Sequence, residues 1–257
     1  MNKIKIIYED DDIVILDKPS GITVNKSETT REEYTVQDYI LDKFPISNFQ
    51  FPIDQESDFY KRAGIVHRID KETSGILIVA KNKKAFEKLQ DEFKERRVEK
   101  TYVALVHGKI KSHEGEISVP VGRLPWNRRR FGVLAGGKEA VTNYRVISNF
   151  PPKADQPRAD KFHVAKKRAE PLTLLELTPK TGRTHQIRVH LKYFNHPIFS
   201  DFLYAGRKTS RQDRKLLGRV FLHARKISFI HPKTNRKITF ESELPPELAK
   251  TLDIIKD

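Results

Sequence analysis

Residues 67–81 read HRIDKETSGILIVAK. Its second half, Gly75–Lys81, is an apolar run bounded by turn residues, which predicts a buried strand. Its first half is polar and charged. A polar cluster just ahead of a buried strand sits at a sheet edge, where a rigid scaffold can hold a reactive side chain. Arg68 and Lys71 flank Asp70, and cationic neighbours favour the ionised carboxylate. An Asx-type turn, with Asp70 and Thr73 bonding only backbone, accounts for the same residues without chemistry.

Working outward, Asn82 is a good N-cap, and Phe86, Leu89 and Phe93 follow at helical spacing, so a helix succeeds the strand. Thr101–Val106 reads as the next strand. Upstream, Ile4–Tyr8 and Ile13–Asp17 read as strands joined by the acidic turn 9–12, and Lys18-Pro19-Ser20-Gly21 is a strong turn signal. Between Asn25 and Arg62 the chain is polar and weakly periodic, apart from a short helix near Thr35–Phe44. Downstream, Gly122–Lys138 is irregular and holds Pro125, Trp126 and Arg128–Arg130. Val141–Ser148 is a strand, Asn149–Glu170 a charged loop, and Leu172–Thr178 an alternating strand. A helix follows the turn 180–183, with Ile187, Leu191 and Phe194 on one face. Arg207–Arg219 is strongly basic, strands resume at Phe221, and Pro245–Ile255 closes the chain as a helix. Strands outnumber long helices and do not alternate strictly with them. This predicts an α+β fold with a mixed, mostly antiparallel sheet and flanking helices.

The chain has 257 residues, with 49 Lys and Arg against 34 Asp and Glu, a net charge of +15 and a pI near 9.8. A charge excess of that size points to a polyanion, because a basic face gains affinity by releasing counterions from phosphates. No stretch approaches the roughly 18 apolar residues of a membrane span, so nucleic acid is favoured over membrane. Cysteine is absent, which removes disulfides, thiolate catalysis and Cys-ligated metal together. The amino terminus is too acidic for a signal peptide, so a cytoplasmic protein is expected. Nine histidines raise the question of a metal site. His185 and His190 are five apart, whereas a same-face helical pair needs i, i+3 or i+4. No metal is expected, and His67, His223 and His231 are read as making structural hydrogen bonds.

Two further segments carry candidate chemistry. Thr181-Gly182-Arg183-Thr184-His185-Gln186 opens a helix, where free backbone N–H groups suit an anion. Its plain reading is a capped amphipathic helix with Arg188 facing water. Lys100-Thr101-Tyr102 opens a strand. Tyr102 is a core tyrosine on the plain reading and a stacking wall for a base on the functional one.

In combination these segments resemble the RluA family of pseudouridine synthases. Residues 67–81 are similar to its H-R-L-D-x-x-T-S-G-L pattern, and DKPSGITV (17–24) to its first motif, K-P-x-G-x-x-V. Lys100–Tyr102 resembles its K-x-Y, GKEAVTNYRV (137–146) its central strand, and TGRTHQIRVHL (181–191) its third motif. LHARKISFIHP (222–232) is similar to its carboxy-terminal strand. The matches occur in order over most of the chain. Departures are mild: Asp17 stands where the family often has Asn, Ile69 and Ile76 replace leucines, and Ser200 stands where the family usually has Gly.

The resemblance implies the pseudouridine synthase fold over residues 1–257, a single catalytic domain with two lobes around a central active-site cleft. It leaves no room for an amino-terminal S4 domain. It implies isomerisation of uridine in RNA to pseudouridine, with Asp70 as the nucleophilic aspartate. Tyr102 would be the tyrosine against the uracil, with a part in proton transfer, and Arg183 the arginine that pairs with the aspartate. Arg68 would fill the space of a flipped nucleotide, His67 and Thr73 would bind the substrate with it, and Ile187 and Leu191 would line the pocket near the base. The carboxylate either attacks the anomeric carbon or stabilises positive charge there while a neighbouring proton leaves. No cofactor is required. RNA is the implied partner, ribosomal RNA ahead of transfer RNA, with no obligate protein partner and a monomeric state. The competing class is an RNA-binding or RNA-folding module with the same fold and no turnover.

Overall fold

The computed structural model describes residues 3–30, 32–44, 56–128, 130–152 and 170–256. Most of the loop expected at Asn149–Glu170, and part of the polar stretch between Asn25 and Arg62, lie outside the described residues. The chain divides into two compact units, one of residues 1–102 with 222–245 and one of 103–221 with 246–257.

In the first unit, β1 (Lys5–Glu9) and β2 (Ile13–Lys18) form an antiparallel hairpin. β3 (Ser74–Ala80) lies antiparallel to β2 across six residue pairs, from Ile13 opposite Ala80 to Lys18 opposite Gly75. β10 (Leu222–Ile230) runs parallel to β3, and β11 (Lys237–Glu241) folds back on β10. The sheet is therefore mixed and mostly antiparallel. Every residue of β3 is buried, because both faces are covered. Val14, Leu16, Leu77 and Val79 point to one layer with Val36 and Ile40 of α1 (Val36–Lys43). Ile13, Ile15, Ile76 and Ile78 point to the other with Ala85, Phe86 and Leu89 of α3 (Lys83–Lys94). A strand buried on both faces cannot alternate, hence its unbroken apolar run. Asn82 caps α3 as expected, its side chain accepting from the Ala85 amide at 2.9 Å. The one-turn helix α2 (Asp58–Lys61) is too short to leave a periodic trace.

β4 (Glu99–His107) begins in the first unit and continues into the second. There β5 (Glu114–Ser118), β8 (Val141–Phe150) and β9 (Leu172–Pro179) follow β4 in the order β4-β9-β8-β5, with β9, β8 and β5 antiparallel to their neighbours in that trio. β8 carries a register shift between Val146 and Ser148, and the intervening Ile147 is exposed, as a bulge requires. The irregular stretch 122–138 contains a small hairpin of β6 (Val121–Arg123) and β7 (Phe131–Val133). Among the described residues three helices complete the unit: α4 (Gln186–Tyr193), α5 (Arg207–Asp213) and α6 (Pro246–Lys256). No helix among the described residues is long and apolar enough to cross a membrane.

Candidate active site

The turn that bears Asp70 is held from three directions within the first unit. Lys18 is fully buried, and its ammonium donates to the carbonyls of Pro19, Ile22 and Lys71 at 2.9, 2.9 and 3.0 Å. A buried charge is tolerated only when its donors are engaged, and three carbonyls saturate an ammonium. Ser20 Oγ donates to the Glu72 carbonyl at 2.8 Å and the Gly21 amide to the Lys71 carbonyl at 2.8 Å. Gly21 has φ of 92°, a left-handed conformation that favours glycine. The Lys18–Gly21 motif is thus a clamp on residues 71 and 72. In sequence the segment reads as a turn and as the first family motif, and neither reading reveals that Lys18 is buried beneath the turn of Asp70.

On the amino-terminal side, His67 Nε2 accepts from the Ile78 amide of β3 at 3.0 Å, and its ring stacks on Phe93 of α3 at 4.8 Å. Burial, then the nearby Lys100 and Arg62 cations, push its pKa down to about 3. The imidazole is therefore neutral and engaged within the protein, as the structural reading of this histidine expected.

On the carboxy-terminal side, Ser74 Oγ lies 2.9 Å from His223 Nδ1, and His223 Nε2 lies 3.2 Å from the Ser242 carbonyl. Gly75, with φ of 112°, sits so close to β10 that a Cβ would collide with the Ala224 backbone. Between these anchors, the Thr73 amide donates to the Asp70 carbonyl at 3.1 Å. Asp70 is half-buried and Arg68 exposed. The Thr73 hydroxyl is buried without a hydrogen-bond partner.

Tyr102, at the end of the first unit, packs on the core layer that contains Ile69 and Ala224. Burial and the charge of Asp70 both hold its phenol above the usual range. Asp70 and Tyr102 are thus electrostatic neighbours. Lys100 is partly buried, its pKa lowered by desolvation, with its ammonium 5.6 Å from the Phe93 ring centre.

Arg183, Ile187 and Leu191 belong to the second unit. Arg183 is half-exposed, and its Nε donates to the Glu139 carbonyl at 3.1 Å. Ile187 and Leu191 are buried on α4. The turn before α4 is built around Gln186. Its Oε1 accepts from the Thr181 hydroxyl and the Arg183 amide at 2.7 and 3.0 Å, and its Nε2 donates to the Val141 carbonyl and the Thr142 hydroxyl. The expectation that Arg188 faces water is wrong. Arg188 is 7% exposed and grips Asp201 through two bonds of 2.7 and 2.8 Å. Its partner lies 13 residues away, beyond the reach of helical periodicity. Ser200, beside that aspartate, has φ of 63°, which explains why glycine suits the position.

Among the described residues no group of three or more His, Asp or Glu side chains could hold a metal ion.

Residues 12–193 match a protein family described as RNA pseudouridylate synthase. A protein of Aquifex aeolicus described as an uncharacterized RNA pseudouridine synthase is 36% identical over 94% of this chain and 70% of its own length. The ribosomal large subunit pseudouridine synthase D of Pseudomonas aeruginosa is 34% identical over 99% of this chain and 72% of its own. The solved structure of human RNA pseudouridylate synthase domain containing 1 superposes with a TM-score of 0.70 at 27% identity, covering 97% of this chain and 87% of that one.

Proposed function

Because the chain belongs to the RNA pseudouridylate synthase family, we propose that Asp70 is the nucleophile of its uridine isomerisation and that the target uridine is flipped out of RNA to reach it. The observation that carries the assignment is the turn of Asp70, clamped by Lys18, His67 and Ser74, whose carboxylate charge adds to burial in holding the Tyr102 proton.

The carboxylate attacks the anomeric carbon as the bond to the uracil nitrogen breaks. The freed uracil turns, its C5 bonds to the same carbon, and the carboxylate leaves. The C5 proton is then lost and N1, freed from the sugar, takes up a proton, so product and substrate are isomers and no group donor or redox step enters. An aspartate suits the task because it is ionised at neutral pH and can leave again. Its position must be held before the substrate arrives, and the three-sided clamp does that. Tyr102, protonated at any working pH, offers a flat apolar face to the detached base and a hydroxyl for proton transfer. Flipping a base costs a few kcal/mol. Arg68, exposed two residues before Asp70, is proposed to fill the vacated stack.

Thr73 is proposed to bind substrate, since an orphaned buried hydroxyl costs about 1–3 kcal/mol until an acceptor arrives. His67 acts by holding the turn. Arg183 is proposed as a catalytic residue, and Ile187 and Leu191 as base-lining residues, on their motif alone. Ribosomal RNA is the proposed target, as the name of the Pseudomonas relative suggests.

The test is pseudouridine mapping of total RNA treated with wild type or with Asp70→Asn. Conversion by wild type and none by the variant, with RNA affinity retained, is the expected result. Equal conversion by both would remove Asp70 from the mechanism, and RNA binding without conversion by wild type would leave only a binding module.

A further inference from the structure

We infer that the outward face of α5 and the residues just after it form a second RNA-binding surface, which grips phosphodiester groups with four cations and stacks one unpaired base on Phe202. The inference rests on the proposal that RNA is the substrate.

α5 has one buried and one exposed face. Ser210 and Asp213, three apart, point inward and are buried. Asp213 Oδ2 lies 2.9 Å from His107 Nε2 and accepts from the Ser200 amide at 2.9 Å. Ser200 Oγ donates to the Leu217 carbonyl, and Arg214 donates to the carbonyls of Ser200 and Gly218 at 3.2 and 3.1 Å. These bonds tie residues 200–218 into one rigid element and settle which way the helix faces.

Arg207, Lys208, Arg211 and Lys215 are turned outward and exposed. No ion pair engages any of the four among the described residues, although elsewhere the same surface type is commonly paired, as at Arg145–Glu176 and Lys226–Glu241. The two carboxylates of residues 200–218, Asp201 and Asp213, are buried and already committed, to Arg188 and to His107 and the Ser200 amide. Within α5, Arg207 and Arg211 stand four apart, a spacing at which like charges destabilise a helix. Four unopposed cations, two of them at a mutually repulsive spacing, match a polyanion, whose phosphates relieve the repulsion.

An exposed aromatic ring packs against Arg214 of the same element. Phe202 is 58% exposed, and the Arg214 guanidinium lies 5.7 Å from its ring centre. An exposed aromatic beside cations is the combination that holds single-stranded nucleic acid, the charges following the backbone and the ring taking a base. An acidic protein would satisfy the cations but has no use for the open ring, so RNA is favoured.

The test uses the full chain with all four cations changed to Gln, and separately Phe202→Ala, on a single-stranded ribosomal RNA fragment that wild type converts. Each phosphate contact contributes about 0.7 to the slope of log affinity against log salt for single strands. The quadruple variant should therefore lose about 3 from that slope and bind about 10-fold or more weakly at physiological salt. KM should rise while kcat at saturating RNA stays unchanged, and the melting temperature should stay the same or rise. Phe202→Ala should weaken binding about 10-fold with the salt slope unchanged. If wild type converts the RNA but both variants bind it with unaltered affinity and slope, the surface proposal is overturned and the enzymatic reading stands. Unaltered RNA binding together with loss of polyglutamate binding in the quadruple variant would assign the face to an acidic protein and also overturn it. If wild type neither binds nor converts any RNA, the enzymatic reading falls and takes this inference with it.

Discussion

The Asp70 carboxylate acts on the Tyr102 phenol: its negative charge adds to burial in keeping the tyrosine proton in place. Removing that charge should let the phenol ionise at lower pH. Alkaline ultraviolet titration of Asp70→Asn, with Tyr102→Phe identifying this ring among the eight tyrosines, should show a downward shift relative to wild type. An unshifted titration would mean that the two groups do not interact. The measurement needs no RNA and so stands apart from the activity assay.

Lys18 is the next point of leverage. Lys18→Met keeps the apolar stem but leaves three carbonyls without their shared donor. Hydrogen bonds to a charged group contribute about 1.5–3 kcal/mol each, and buried orphan acceptors add their own cost. The loss should reach about 3 kcal/mol or more in denaturant unfolding. In whatever fraction stays folded, kcat should fall further than KM rises, because the clamp orients the turn of Asp70. A variant of wild-type stability would contradict the clamp.

His67 makes stability depend on pH in a defined window. Its pKa drops from 6.5 to about 3 on folding, so between those values the unfolded chain takes up a proton that the folded chain refuses. Stability from this group is present above pH 6.5 and is lost as pH falls toward 3, with a slope of about 1.4 kcal/mol per pH unit at most. The difference in unfolding free energy between wild type and His67→Asn should shrink as pH falls through that window. A constant difference would show that the imidazole is not held neutral.

Ser200 sets two small effects against each other. Its left-handed backbone costs about 1 kcal/mol in a non-glycine residue, while its hydroxyl bond to the Leu217 carbonyl contributes about 1 kcal/mol. Ser200→Gly loses the bond but relieves the strain, so its net effect should be small. Ser200→Ala loses the bond and keeps the strain. Thermal unfolding should rank glycine above alanine by about 1 kcal/mol, and the reverse order would refute the strain.

What the sequence disclosed follows physical lines. β3 was legible because a strand covered on both faces must be apolar throughout, and α3 because Asn82 and the spacing of Phe86, Leu89 and Phe93 declare it. The β6–β7 hairpin stayed hidden because its strands are three residues each, too short to show alternation. At the site, Asp70 and Tyr102 are marked by their motifs, and the structure adds the upward push of the Asp70 charge on the Tyr102 phenol. The buried roles of Lys18 and Arg188 were invisible, since each depends on a partner far along the chain. Ser200 is an intermediate case: it departs from the glycine of the family, and its positive φ supplies the reason.

The Ser74–His223 contact joins residues 149 positions apart. A ribosome adding roughly 5–20 residues per second needs roughly 7–30 seconds to cover that interval. Throughout that time the emerging polypeptide carries β3 with one edge unpaired, and exposed apolar edges invite association with other chains. A messenger truncated before residue 223 would therefore yield an aggregation-prone fragment lacking the backstop for residues 74 and 75. Nascent-chain chaperones would be needed most during this interval.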